Sequence, residues 1–200
     1  MEMVNVIIDG VSVQVEKGTT VLEAARKAGI NIPTLCYLKD VNAIGACRVC
    51  LVEVKGAKAL QPSCVYPVSE GLEVLTNTAK VREARKAVVE LLLSNHPADC
   101  LTCVRSGKCE LQTLAQQMGI REVRFTGEQS VFPIDDRSVA IVRDPNKCVL
   151  CHRCEAVCKK VQGVNILGTI NRGFNSTVGP AFGHNLDDRS EEHTSELQSP

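Results

Sequence analysis

Tryptophan is absent from the 200 residues, and two tyrosines with four phenylalanines supply few large side chains for a core. An excess of charge of one sign is missing too. Twenty-three Lys and Arg balance 23 Asp and Glu, whereas chains that bind nucleic acid usually carry a basic excess. No apolar run nears the roughly 18 residues that a membrane-spanning helix needs. The opening Met1-Glu2-Met3-Val4-Asn5-Val6 has no basic stretch leading into an apolar one, so it does not read as a secretory signal. What is plentiful is cysteine, with eleven. Without an export signal the expectation is a cytoplasmic, reducing location, where structural disulfides are rare. An odd count also pairs poorly, and spaced cysteines in such a chain more often bind metal or do redox chemistry.

The cysteines fall into three sets that leave none over. Cys36, Cys47, Cys50 and Cys64 read C-x10-C-x2-C-x13-C. His96, Cys100, Cys103 and Cys109 read H-x3-C-x2-C-x5-C. Cys148, Cys151, Cys154 and Cys158 read C-x2-C-x2-C-x3-C. The partition predicts three small modules. Chains that short rarely bury enough core alone and need a staple; ligand-binding energy can be that staple, because it becomes folding energy.

Local pattern places each set. Val4, Val6 and Ile8 alternate, as do Val11, Val13 and Val15, with Asp9-Gly10 between them. That is a hairpin signal, because both turn positions need positive φ. Thr20-Val21-Leu22-Glu23 is a capping box that starts a helix, and Gly29 stops it. Val21, Leu22, Ala25 and Ala28 are its expected buried face. A loop carries Cys36 to Cys50, and Leu51–Val54 and Gly71–Leu75 read as strands. From Thr78 to Asn95 the pattern turns helical, with Val81, Ala84, Val88, Leu91 and Leu92 as the apolar stripe. His96-Pro97 ends it, since the residue before proline is pushed out of the α region. A short helix is expected from Lys108 to Met118, a connector over 120–138, and a strand over Ser138–Arg143. The overall expectation is an α+β chain.

Thiolates are soft ligands that suit zinc or the iron of iron–sulfur clusters. The third set has the run found in bacterial ferredoxins, although Lys159 stands where proline usually follows the last cysteine. The first set is related to the plant-type pattern, with a longer first gap; Gly45 and Ala46 leave room for backbone N–H groups to approach sulfur. Zinc remains the alternative at both. In the second set three cysteines leave one corner of a four-ligand site open, and His96 is the candidate to fill it. A neutral imidazole in place of a thiolate raises a cluster's potential, and its other ring nitrogen needs an acceptor.

These motifs resemble the N-terminal region of the large subunit of iron-only hydrogenases, in particular the NADP-reducing, electron-bifurcating, multisubunit type. Asn31-Ile32-Pro33-Thr34-Leu35-Cys36-Tyr37 and Ile44-Gly45-Ala46-Cys47-Arg48-Val49-Cys50 look like the family's [2Fe–2S] domain, whose fold is a β-grasp. His96-Pro97-Ala98-Asp99-Cys100, Cys103 and Cys109-Glu110-Leu111-Gln112 look like its small helical [4Fe–4S] domain with one histidine and three cysteine ligands. Lys147-Cys148-Val149-Leu150-Cys151-His152-Arg153-Cys154 and Asn171-Arg172-Gly173-Phe174 look like its ferredoxin-type domain. The first two domains also occur in the large peripheral-arm subunit of NADH:quinone oxidoreductase and in some formate dehydrogenases. Val104-Arg105-Ser106-Gly107-Lys108, where those tend to read Asp-x-Gly-Gly, favours the hydrogenase resemblance.

The resemblance implies a [2Fe–2S] domain over 1–77, a [4Fe–4S] domain over 78–119, a connector over 120–138 and a truncated [4Fe–4S] ferredoxin-type domain over 139–188. Residues 189–200 read like a translated sequencing-adapter oligonucleotide. It implies [2Fe–2S] ligation by Cys36, Cys47, Cys50 and Cys64, and [4Fe–4S] ligation by His96, Cys100, Cys103 and Cys109. Cys148, Cys151 and Cys154 would hold an incomplete cluster, substoichiometric or three-iron, with Cys158 directed at a second cluster that has no other ligands here. Such a piece passes electrons towards a hydrogen-activating domain that it lacks, so it is expected to be inactive alone. Implied partners are flavin- and NAD(P)-binding and small [2Fe–2S] hydrogenase subunits, or ferredoxin. Lys39, Arg48, Lys55 and Lys58 lie near the first set and read as a candidate docking face for an acidic partner, against the alternative of a solvated basic surface. A zinc-stapled interaction module without redox role is the rival from another class.

Overall fold

A computed structural model describes residues 2–187; the adapter-like stretch 189–200 lies outside them. Strands β1 (Met3–Ile8) and β2 (Val11–Glu16) form the expected antiparallel hairpin, Met3 opposite Glu16 and Ile8 opposite Val11. Asp9 (φ 49°) and Gly10 (φ 83°) make its turn, both left-handed as a two-residue hairpin loop requires. Helix α1 (Val21–Lys27) follows, its first turn capped by the Thr20 hydroxyl, which accepts from the Glu23 amide at 3.4 Å. Then come β3 (Leu51–Val54), the two-residue β4 (Gln61–Pro62) and β5 (Leu72–Leu75). The sheet order is β2-β1-β5-β3-β4, with β1 and β5 parallel and every other pair antiparallel. A hairpin, a crossing helix and a central parallel pair give the β-grasp arrangement.

Alternation explains the core. Val4, Val6 and Ile8 point inward from β1 and meet Val52, Val54 and Val74 from the sheet and Val21, Leu22, Ala24 and Ala25 from α1. Ala24 is buried where Ala28 was expected; Ala28 is the half-exposed C-cap.

Helix α2 (Ala79–Ser94) spans the expected helix, with Thr78 and Asn95 as caps. Its buried side differs from the apolar stripe. Val81, Arg85, Val89 and Glu90 are buried, while Leu91 is 53% exposed. Two charged residues go inside because each finds a partner. Arg85 donates to the Leu51 carbonyl, and Glu90 accepts from Arg124 Nε at 2.7 Å. Helix α3 (Glu110–Gln117) packs on α2 and ends before Gly119 (φ 63°).

The strand expected over Ser138–Arg143 does not form. Only an isolated bridge joins Asp135 to Arg143, and Val139 and Val142 are 99% and 71% exposed, because no neighbouring strand covers them. Helix α4 (Arg153–Lys160) and the hairpin β6 (Leu167–Ile170) with β7 (Thr177–Pro180) complete the fold. Among the described residues no helix is long and apolar enough to cross a membrane.

Candidate functional site

The first cysteine set is built into the edge of the sheet domain. Pro33 leads the chain out of α1 towards Cys36, the loop before β3 carries Cys47 and Cys50, and Cys64 follows β4. All four are buried, none more than 8% exposed. They fall into two pairs, Cys36 with Cys47 and Cys50 with Cys64, each thiol perturbed most by its partner. Within each pair one sulfur takes the proton. Cys47 is lowered to about 5 by the Cys36 thiol, against its burial and with help from the amides of Val49, Cys36 and Leu35. Cys50 is lowered to about 6 by the Cys64 thiol, with help from the Cys64 amide and the Ser63 hydroxyl. Cys36 and Cys64 are pushed up as the donors, and burial adds to this.

The loop geometry makes those amides available. Gly45 (φ 63°) and Arg48 (φ 57°) are left-handed, and a Cβ on Gly45 would come within 3.4 Å of the Val65 side chain. Thiolate is the ligand form of cysteine. Four buried sulfurs, two of them biased towards thiolate and ringed by N–H donors, fit a positively charged inorganic group. The two-by-two pairing suits two irons better than one ion. Among the described residues no three His, Cys, Asp or Glu side chains converge tightly enough to hold a single metal ion.

The second set surrounds one small cavity at the end of α2. His96, Cys100, Cys103 and Cys109 line it together, with Leu93, Leu111 and Gln112 among the remaining walls. The turn between them is tied by the amides of Thr102 and Cys103, both donating to the Asp99 carbonyl at 3.0 Å. His96 Nδ1 lies 3.1 Å from the Pro97 carbonyl. A carbonyl only accepts, so Nδ1 carries the hydrogen and Nε2 is left as the free lone pair. That supplies the acceptor which the sequence did not reveal, and it fits a metal-ligating imidazole.

The third set is more open. Cys148 and Cys154 are exposed, Cys151 is partly buried, and Cys158 is buried on α4. Leu150 (φ 51°) and His152 (φ 57°) hold the loop in a left-handed curl between the first three cysteines. Protein packed around their sulfurs excludes part of the solvent and pushes the Cys148 and Cys154 thiols up, although both residues keep an exposed surface. His152 turns away from ligation, with Nδ1 3.0 Å from Glu155 and 3.1 Å from the Thr169 hydroxyl.

The three sets are not separate in space. One apolar core contains Leu35, Cys36, Cys47, Val49, Val89, Leu111 and Leu114, with Cys109, Val149 and Cys151 packed against it. Polar clamps reinforce the junction. Asn42, 3% exposed, donates both amide hydrogens at 2.9 Å, to the carbonyls of Cys36 and Cys151. Arg153 donates to Glu110 at 2.8 and 2.9 Å and to the Tyr37 carbonyl at 3.2 Å. Lys147 pairs with Asp99 at 2.8 Å. Neither Asn42 nor Arg153 stood out in the sequence; their only signal is position within or beside a cysteine loop. The four lysines and arginines near the first set are exposed, and Lys55 is paired with Glu73 at 2.6 Å.

Comparison with known proteins agrees with this chemistry. Residues 1–79 match a family described as a 2Fe-2S iron-sulfur cluster binding domain, and residues 85–124 match the NADH-ubiquinone oxidoreductase-G iron-sulfur binding region. The chain is similar to the NADP-reducing hydrogenase subunit HndD of Solidesulfovibrio fructosivorans, 48% identical over 94% of this chain and 33% of that protein. It is similar to a G-type NADH-quinone oxidoreductase subunit of Rhizobium meliloti (strain 1021), 42% identical over 88% of this chain and 21% of that protein. A chain of a NAD+-reducing [NiFe]-hydrogenase, solved in the H2-reduced state, superposes with a TM-score of 0.84. It is 32% identical, over 90% of this chain and 76% of that one. The chain belongs to this family of hydrogenase and NADH-quinone oxidoreductase G-type iron–sulfur subunits. It is an electron-transfer module of that family, with a [2Fe–2S] and a [4Fe–4S] binding region. It spans about a third of the length of the HndD relative and about a fifth of the Rhizobium relative.

Proposed function

We propose that this G-type module feeds electrons to the catalytic site of an iron-only, NADP-reducing hydrogenase. The carrying observation is the 48% identity to the NADP-reducing hydrogenase subunit along nearly the whole chain. Iron–sulfur clusters supply reversible one-electron exchange when bound; the residues supply ligands, spacing and burial. Cys36, Cys47, Cys50 and Cys64 would hold the [2Fe–2S] cluster, a reading supported by the burial of all four and by the influence of each thiol on its partner. His96 through Nε2, with Cys100, Cys103 and Cys109, would hold a [4Fe–4S] cluster. Cys148, Cys151 and Cys154 would hold an incomplete ferredoxin-type cluster at the junction, with Cys158 directed to a second cluster that has no other ligands among these residues. The module divisions follow the three sets, at 1–77, 78–119 and 139–188 with a connector over 120–138.

The 200 residues alone turn over no hydrogen, because all eleven cysteines belong to the three electron-transfer sets. Partners are flavin- and NAD(P)-binding and small [2Fe–2S] subunits, or ferredoxin, and the setting is the cytoplasm. A second reading, the electron-transfer part of an NADH:quinone oxidoreductase, is favoured by the match of residues 85–124 to the NADH-ubiquinone oxidoreductase-G region. The gene sequence adjoining these codons separates the two. His96→Ala tests the ligand assignment. The expected result is a weakened [4Fe–4S] signal beside an unchanged [2Fe–2S] spectrum; an unaltered [4Fe–4S] signal would remove His96 from the site.

A further inference from the structure

The buried face of α2 holds a cation that the ligand sets do not use. Arg85 is 7% exposed. Its Nε and Nη2 both donate to the carbonyl of Leu51, at 3.0 and 2.6 Å, and Leu51 directly follows Cys50. Cys50 and Asp9 are the acidic groups whose charge it feels, and burial opposes its own charge. Asp9 is already taken up by the amide and hydroxyl of Thr76. Among the described residues Nη1 of Arg85 has no hydrogen-bond partner. The guanidinium therefore has one edge on the carbonyl that follows Cys50 and one nitrogen uncommitted.

That residue also lines a cleft of about 600 Å³ between α2 and the end of α3. Arg82, Lys86 and Arg124 join it there, with Glu83 as the one acidic residue of the wall. Arg124 keeps its Nε on Glu90 and Arg82 keeps Nη1 on the Asn77 carbonyl, which leaves the other nitrogens of each to a ligand. The volume falls within the range of small-molecule sites. Three guanidinium groups and an ammonium suit phosphate, whose oxygens take forked N–H donors.

We propose that this cleft binds a phosphate-bearing small anion, and that Arg85 couples its occupancy to the redox state of the first cysteine site. The inference rests on the reading of Cys36, Cys47, Cys50 and Cys64 as [2Fe–2S] ligands. One electron from an external donor adds one negative charge beside Cys50. An anion on the other side of Arg85 competes for the same positive charge, so it binds the oxidised form more tightly. By linkage the anion lowers the midpoint potential by the matching amount.

The test is a redox titration of the reconstituted protein, followed by the electron paramagnetic resonance of the reduced [2Fe–2S] site. It is run with pyrophosphate and with chloride at equal ionic strength. The expected preference for the oxidised form is about tenfold, which is a downward shift of about 59 mV for one electron. Lys86→Gln with Arg82→Gln, both away from the cysteines, should abolish most of that shift and leave the potential in chloride near that of the parent. Arg85→Gln should lower the potential in chloride and remove the pyrophosphate response, and Arg85→Lys should restore part of the first effect. If Arg85→Gln does not fold, the Arg82 and Lys86 variant decides alone. Equal midpoints in the two salts, or an unchanged shift in that variant, overturn the inference while the cluster reading stands. No paramagnetic signal at all overturns both.

Discussion

The sheet region that holds the first four cysteines and the C-terminal stretch that holds the last four present the same thiol chemistry on different foundations. In the first, no cysteine is more than 8% exposed, and a continuous core of β1, β3, β5 and α1 stands behind the loop. In the stretch 139–187 the buried residues are only Cys158 and the β7 run Val178–Pro180, and Phe182 is 93% exposed. There α4 and the β6–β7 hairpin lean on the rest of the molecule through Asn42, Arg153 and Lys147. The first site is thus organised by its own domain, while the third is positioned by its neighbours. Apolar burial in the sheet region stabilises a preset thiol cage; the C-terminal stretch gains its order from clamps and from whatever its cysteines bind.

Three perturbations break or sharpen that contrast. Leu22→Ala, in the centre of the sheet domain, should cost about 2–5 kcal/mol. It should lower the unfolding midpoint measured by circular dichroism and release the first site's iron, with a smaller effect on amide exchange in α4. A loss confined to α4 would reverse the contrast. Asn42→Leu leaves two buried carbonyls unpaired and should cost about 1–3 kcal/mol. Here the exchange rates of the 148–154 amides should rise more than those of β1 and β5; equal changes would mean that the third loop does not depend on this clamp. Glu110→Gln removes the charge from the Arg153 pair, in which Glu110 is 54% exposed. Its cost should stay below about 1 kcal/mol, because an exposed pair gains little in water. A larger loss in urea titration would show that this clamp carries more of the junction than its exposure allows.

Acid should act on the same weak side. Arg137 and then Arg143 hold the Asp135 carboxyl well below the usual carboxylate range, and Arg143 also donates to the Val178 carbonyl of β7. A depressed folded-state pKa gives stability that is present above the unfolded value, near 4. It is lost as pH falls below that value towards the folded one. Amide exchange at β7 should therefore accelerate below about pH 4, and Asp135→Asn should show the faster exchange already at pH 6.

Much of this arrangement was legible in the residues. Asp9-Gly10, the Thr20 cap, Gly29 and the alternation of Val4, Val6 and Ile8 each specify local geometry, and the sheet agrees with all of them. Cysteine spacing groups the thiols of each set, because sulfurs close in sequence share a loop. What stayed hidden depends on contacts distant in the chain. Arg85 and Glu90 enter the buried face of α2 because Leu51 and Arg124 wait there, and periodicity treats both as surface. Asn42 reads as a loop asparagine until Cys151, 109 residues away, comes to meet it. Ser138–Arg143 has a strand-like composition but no strand beside it to complete a ladder.

Iron and acid-labile sulfide counted per chain after anaerobic reconstitution test the central claim most directly. About six irons are expected from the two complete sites, two and four. The Cys64→Ser variant should lose the pair held by the first site and keep the rest. A colourless protein that takes up zinc, with neither iron nor sulfide, would contradict the account.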